Sequence, residues 1–259
     1  VRFDVSRVDG YRNFCNKLWN ASKFVLMNTA DTEIGQSIES SPNVIDRWIL
    51  SKASKLIEDC RLALDTYRFD LCATAIYEFV WHEYCDWYLE LSKSILWNDE
   101  LSEQHKVATR RTLLEILELL LRISHPIMPF ITETLWLQVA PKLGIKGTSV
   151  MVQNYPEPSQ WRTDDEAQQQ IEWLKSVIAA LRNIRGEASI KPSTGIPILL
   201  QDGDDQDRTQ ATNAAEMLRR LANVTSIDWL ERGNEPPPNA LALIGDLRVM
   251  APLEGLIDV

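Results

Sequence analysis

The sequence predicts a mainly α-helical protein, with a helical bundle over residues 1–147 and a small α/β (α+β) domain over residues 148–259. Three observations predict it. Apolar residues return at three- and four-residue steps through long stretches of the first 140 positions, the period of amphipathic helices. Proline and glycine cut these stretches into lengths that suit bundle helices joined by short links. Beyond Gly144-Ile145-Lys146-Gly147 the texture changes to short β-branched runs that alternate with further helical stretches.

The first helix is expected from Ser6 to about Met27, where Val8, Tyr11, Cys15, Leu18, Ser22 and Val25 keep helical steps with only Ser22 off type. Gly35 to Pro42 breaks it. A second helix should start at Ser41-Pro42, a cap followed by proline in the first turn, and carry Trp48, Ile49, Leu56 and Ile57 to about Leu64. The third, from about Asp70 to Leu96, places Ala73, Ile76, Val80, Trp87 and Leu91 on one side and Glu78, His82, Asp86 and Glu90 on another. The fourth, from about Glu103 to Ser124, is apolar nearly all round apart from a line of Arg111, Glu115, Glu118 and Arg122, which marks it as central. His125-Pro126 ends it, and Pro129-Phe130-Ile131 opens one more helix to about Val139. In the second domain, strands are expected at Ser149–Val152, Ile196–Leu200 and Val224–Trp229, and helices at about Asp165–Glu187 and Asp207–Ala222. Glu235-Pro236-Pro237-Pro238 reads as a turn-rich connection.

At 259 residues, with 45% hydrophobic and 25% charged residues, the chain can bury a sizeable core and is not a disordered tail. It contains no run of about 18 apolar residues for a membrane span, and Val1-Arg2-Phe3-Asp4-Val5 has no signal-peptide core, so a cytoplasmic location is expected. A first residue of Val, with a helix starting close behind it, suits a piece of a longer polypeptide. Cys15, Cys60, Cys72 and Cys85 have no C-x-x-C spacing and fall in helical patterns, as buried reduced thiols do. His82 and Cys85 share a helix face, but two ligands do not make a structural zinc site, so neither a metal nor any other cofactor is expected.

A net charge of -10 argues against a nucleic-acid partner at the level of composition, because phosphate binding depends on Lys and Arg. The charge is unevenly spread. Residues 1–29 hold Arg2, Arg7, Arg12, Lys17 and Lys23 against Asp4 and Asp9, whereas acid collects at Asp202, Asp204, Asp205 and Asp207. Catalytic constellations are absent: there is no phosphate-cradling glycine loop, no G-x-S-x-G, no H-E-x-x-H and no Cys/His pairing of catalytic type. No catalytic residue is assigned. The face Glu78, His82, Asp86, Glu90 has the spacing of an ordinary solvated helix surface.

The first helix carries the most informative pattern. At about 100° per residue, Arg12, Asn16, Trp19 and Lys23 fall within roughly 60° of arc, well away from the apolar stripe, and Lys17 and Asn20 flank them. Two cations for phosphates, an amide for base edges and a flat ring for stacking make a nucleic-acid surface. The same spacing also allows Trp19 to pack on the next helix while the polar residues are merely solvated, and both readings stay open. Trp48, Trp87, Trp136 and Trp173 sit among apolar residues and are expected in cores. Lys175, Arg182 and Arg185 form a second, smaller basic patch.

The segment Tyr11-Arg12-Asn13-Phe14-Cys15-Asn16-Lys17-Leu18-Trp19-Asn20-Ala21-Ser22-Lys23-Phe24-Val25-Leu26-Met27-Asn28 resembles the opening of the anticodon-binding bundle in the valyl-tRNA synthetase family. Asp46-Arg47-Trp48-Ile49-Leu50, Tyr77-Glu78-Phe79, Cys85-Asp86-Trp87-Tyr88-Leu89-Glu90, His125-Pro126-Ile127-Met128-Pro129-Phe130-Ile131-Thr132-Glu133 and Arg182-Asn183-Ile184-Arg185 follow in the family's order. The resemblance covers about residues 7–192; from Gln201 onward only the general layout matches.

The resemblance implies that this region reads the anticodon arm of valine tRNA while a catalytic domain of the same polypeptide activates the amino acid. Neither a His-Ile-Gly-His-like nor a Lys-Met-Ser-Lys-Ser-like motif occurs here, so activation, transfer and editing belong to other sequence, and the chain alone is expected to be inactive. Carried over by motif, Arg12, Asn16, Lys17, Trp19, Asn20 and Lys23 line the anticodon-arm surface, and Asn28 to Asp31 reach toward the loop bases. Lys23 stands where the family often has arginine; lysine keeps the phosphate contact and loses the bidentate geometry. An isoleucyl or leucyl relative is the nearest alternative. From another class, a helical protein-interaction module without RNA binding would account for the acidity.

Overall fold

The computed structural model describes residues 6–30, 34, 41–158 and 163–253, with side chains from Val8 onward. The side chains of Arg2, Asp4 and Arg7, the residue Asp31 and most of the Gly35–Pro42 break lie outside the described residues. The chain forms two compact units, 1–167 and 168–259. The expected mainly α architecture with a small α/β domain is present.

In the first unit, α1 spans Ser6–Asn28, α2 Val44–Asp65, α3 Phe69–Glu78, α4 Leu89–Leu96, α5 Glu103–Ser124 and α6 Pro129–Val139. The ten residues Phe79–Tyr88 between α3 and α4 are π-helical, so the three pieces make one continuous rod where a single α-helix was expected. Helix α5 is the axis of the bundle: Leu113, Leu114, Ile116, Leu117, Leu119, Leu120 and Leu121 are fully buried. Its polar line is neutralised locally, since Arg111 pairs with Glu115 at 2.6 Å and the buried Glu118 accepts from Arg122 and, at 2.9 Å, from the indole N–H of Trp136.

One buried carboxylate ties three elements together. Asp46 in α2 accepts from Tyr88 (2.7 Å), Ser41 (2.7 Å), Thr109 (2.9 Å) and the Asn43 amide (3.1 Å), and burial raises its pKa above the usual carboxylate value despite these donors. The His125-Pro126 motif is a helix connection: the imidazole meets the Thr132 hydroxyl at 2.8 Å, and Pro129 occupies the first turn of α6.

Beyond the division expected at 147/148, Ser149, Val150, Tyr155, Pro156 and Asp164 bond to the bundle. Glu133 of α6 accepts from the Ser149 hydroxyl and the Val150 amide, Arg61 of α2 donates to the carbonyls of Tyr155 and Pro156, and Arg47 pairs with Asp164 at 2.8 Å. Those bonds also correct the expected strand at Ser149–Val152. The segment turns tightly, with Val150–Val152 a 3₁₀ turn whose Met151 amide is capped by the Ser149 hydroxyl.

The second unit holds most of α7 (Asp165–Glu187), then β1 (Ile196–Gln201), α8 (Asp205–Ala222), β2 (Val224–Trp229), β3 (Asn239–Ile244) and β4 (Leu247–Pro252). Strand order is β2-β1-β4-β3: β1 and β2 pair in parallel around the α8 crossover, and β4 pairs antiparallel with β1 and with β3. Gly245 supplies the positive φ of the β3–β4 turn. The acidic stretch has a folding role, because Asp204 and Asp207 form the capping box of α8. Strands β3 and β4 extend the sheet beyond the two strands expected there from sequence.

Candidate nucleic-acid interface

Helix α1 buries Phe14, Leu18, Ala21, Ser22 and Val25 and turns the opposite face outward. Along that outer face Arg12, Asn16, Asn20 and Lys23 are exposed, followed one turn later by Met27. Four of the six residues singled out from sequence therefore share one open stripe. Trp19 is half-buried at its edge, so the ring is partly committed to packing and partly accessible.

Lys17 does something else. At about 100° per residue it lies roughly 140° round the helix from Arg12, which aims it at the neighbouring rod. Its ammonium pairs with Asp86 at 2.6 Å and sits 4.0 Å from the Trp81 ring centroid. It clamps α1 to the π-helical stretch.

Electrostatics narrow the stripe further. Arg12 pairs with Asp9 at 3.1 Å, both well exposed. Next to the stripe, the rod presents Glu78, His82, Asp86 and Glu90, all exposed, with His82 within 3.6 Å of Glu78 and 3.4 Å of Asp86. Lys23 makes no ion pair with any described residue, which makes it the stripe's available cation. Among the described residues the unpaired positive charge of the stripe thus lies toward that end of α1, and negative charge along the middle of the rod.

The rod runs parallel to α1: Phe14 stacks on Tyr77, Lys17 pairs with Asp86, and Phe24 meets Lys93. The carboxyl ends of α1 and α4 therefore lie together. There the Lys93 ammonium stands 5.7 Å from the ring centroids of both Phe24 and Trp97. Trp97 is 61% exposed, and sequence reasoning missed it. The available signal was a lysine and a tryptophan four apart at the end of a predicted helix.

The second basic patch dissolves. Arg185 is 7% exposed, and its two terminal nitrogens donate to the carbonyls of Lys191, Thr194, Ala222 and Asn223 at 2.8 to 3.3 Å. It gathers the carboxyl end of α8 and the loop after α7, a structural use of a guanidinium fork. Lys175 pairs with Glu172 at 3.2 Å, and the Arg182 side chain is exposed. Of the expected core tryptophans, Trp48 and Trp136 are fully buried, while Trp87 and Trp173 are half-buried, Trp173 donating to Asp207. All four cysteines are free thiols, and burial pushes the Cys85 thiol up to about 12. Among the described residues no three His, Cys, Asp or Glu side chains gather as a metal site, and no helix is long and apolar enough to cross a membrane.

Residues 46–200 match the family model described as the anticodon-binding domain of tRNA ligase. The chain belongs to this anticodon-binding family. The match begins at the buried Asp46 and runs into β1, so α1 with its stripe precedes it. Similarity to individual proteins extends over α1 as well. The chain is 45% identical over 275 residues to a valine–tRNA ligase of Xylella fastidiosa (strain M12) and 42% identical over 261 residues to that of Acinetobacter baylyi, covering all of this chain and 28% and 27% of those proteins. The chain thus spans little more than a quarter of the length of these relatives. A crystal structure of an Agrobacterium radiobacter K84 LeuRS–tRNA–LeuAMS complex is similar over 91% of this chain and 26% of that one, with a TM-score of 0.42 and 16% identity, a likeness too distant to carry an argument.

Proposed function

We propose that this chain is the tRNA-binding, anticodon-recognising part of a valine–tRNA ligase, holding valine tRNA so that its acceptor end reaches a catalytic domain elsewhere in the same polypeptide. The observation that carries this reading is identity above 40%, over the whole chain, with ligases named for valine. The exposed α1 stripe supplies the contact surface. Lys23 meets a phosphate, Arg12 a second phosphate at the far end, and Asn16 and Asn20 the sugar or base edges between them. Trp19 borders the stripe, and Lys17 positions α1 through Asp86 rather than touching RNA. The work is done in the cytoplasm, and the chain by itself activates no amino acid.

Binding of valine tRNA and of an unrelated tRNA, each at two salt concentrations, tests this. Tighter binding of valine tRNA, weakened by salt, is the expected result; equal and salt-independent binding of both would favour a protein-interaction module, the role that the acidic rod face supports.

A further inference from the structure

We propose that Trp97 is a stacking platform for one nucleobase of a single-stranded RNA loop, rimmed by Phe24, Lys93 and Lys23; this rests on the tRNA reading above and extends it to a second helix. The backbone on both sides of Trp97 is fixed. Its N–H closes the last turn of α4 on the Lys93 carbonyl, and Asn98 after it is buried, with its side-chain oxygen accepting the Glu100 N–H at 3.0 Å. The residue nevertheless stays 61% exposed. An indole on a fixed backbone, with only two side-chain torsions to order, loses little entropy when something flat lies on it.

The surroundings select the ligand. The apolar part is one indole together with the 78% exposed Met27 a turn beyond Phe24 on α1, far short of the roughly 1,200 Å² that a stable protein interface buries. Lys93 stands between Phe24 and Trp97, and Lys23 directly precedes Phe24 on α1. Acids stand on the other side: Glu90 pairs with Lys93 at 2.6 Å, and Asp99 and Glu100 follow the ring. Phosphates must therefore approach from α1. A strand that follows Arg12, Asn16, Asn20 and Lys23 along α1 reaches the carboxyl end of that helix, where the parallel rod ends in Trp97, and turns round the helix past Phe24 and Lys93 to meet the ring.

The test is binding of a valine tRNA anticodon stem-loop to the intact protein carrying Trp97→Ala, Trp97→Phe or Lys23→Ala, with melting temperatures measured alongside. Trp97→Ala should weaken binding about 5- to 150-fold at constant melting temperature and salt slope, with Trp97→Phe retaining most of the affinity. One abasic substitution in the RNA loop should abolish the difference between wild type and Trp97→Ala. Wild-type affinity in Trp97→Ala while Lys23→Ala binds weakly would overturn the platform and leave the tRNA reading standing. Loss of affinity that tracks a lowered melting temperature, with no abasic position cancelling it, would make Trp97 a structural residue and overturn the platform too. No effect of either substitution would overturn the platform and the approach along α1, whereas a wild-type protein that does not bind the stem-loop would overturn the tRNA reading itself.

Discussion

Lys23 and Arg185 are both cations near the carboxyl ends of 23-residue helices, α1 and α7, and both sit in locally basic sequence. Lys23 projects into solvent with no ion-pair partner among the described residues, whereas Arg185 is enclosed and spends its guanidinium on four carbonyls. The difference teaches that a cation's availability depends on what the backbone around it leaves unsatisfied. The chain bends sharply after α7 and again after α8, exposing carbonyls that need a donor, and a planar fork on the nearest helix supplies four. No such debt exists beside Lys23.

The largest effect should come from Arg185. Replacing it with Ala strands four carbonyls in a largely enclosed site and should destabilise the small unit by about 3 to 5 kcal/mol in urea denaturation, with Arg185→Lys recovering little because an ammonium cannot span all four. An Arg185→Ala protein as stable as wild type, but weaker for tRNA, would reverse the roles of the two cations.

Asp46 is the bundle's counterpart of Arg185, a buried charge satisfied from several sides. Its folded pKa is raised by burial above the ordinary value of 3.8, so between those two values the folded state holds the proton more tightly than the unfolded state. Stability contributed by this group is complete below the unfolded pKa and declines as pH rises through the folded one. The stability difference between Asp46→Asn and wild type should therefore shift in favour of Asn as pH rises from about 4, by about 1.4 kcal/mol for each unit by which the pKa is raised. Urea titrations of both proteins across that range check it, and a difference that is flat with pH would mean that Asp46 titrates normally.

Most helices were legible because periodicity and punctuation agree. Glu103–Ser124, Pro129–Val139 and Asp165–Glu187 begin and end where capping and proline signals place them. The π-helical stretch was not legible, because Phe79 to Tyr88 keeps the same apolar spacing whichever carbonyl each amide chooses. Strands β3 and β4 were missed for a different reason. Their six residues each are mostly apolar without clean alternation, and their neighbour β1 is what gives them a sheet. At the candidate interface the stripe of Arg12, Asn16, Asn20 and Lys23 followed from helical geometry alone, but the pairing of Lys17 with Asp86 needed a residue 69 positions away.

Lys17 offers a smaller effect. Lys17→Ala and Asp86→Ala should each cost about 1 kcal/mol or less in stability and should be non-additive when combined, since the pair is only partly shielded from water. Additive losses in the double variant would show that the two side chains do not act on each other.

The central claim is that tRNA lies on the open face of α1 and takes its phosphate contact from Lys23. The dependence of valine tRNA affinity on salt, measured for wild type and Lys23→Ala, tests it most directly. The slope of log affinity against log salt should flatten by up to about 1 in the variant, with the melting temperature unchanged; identical affinity and slope in the two proteins would contradict the claim.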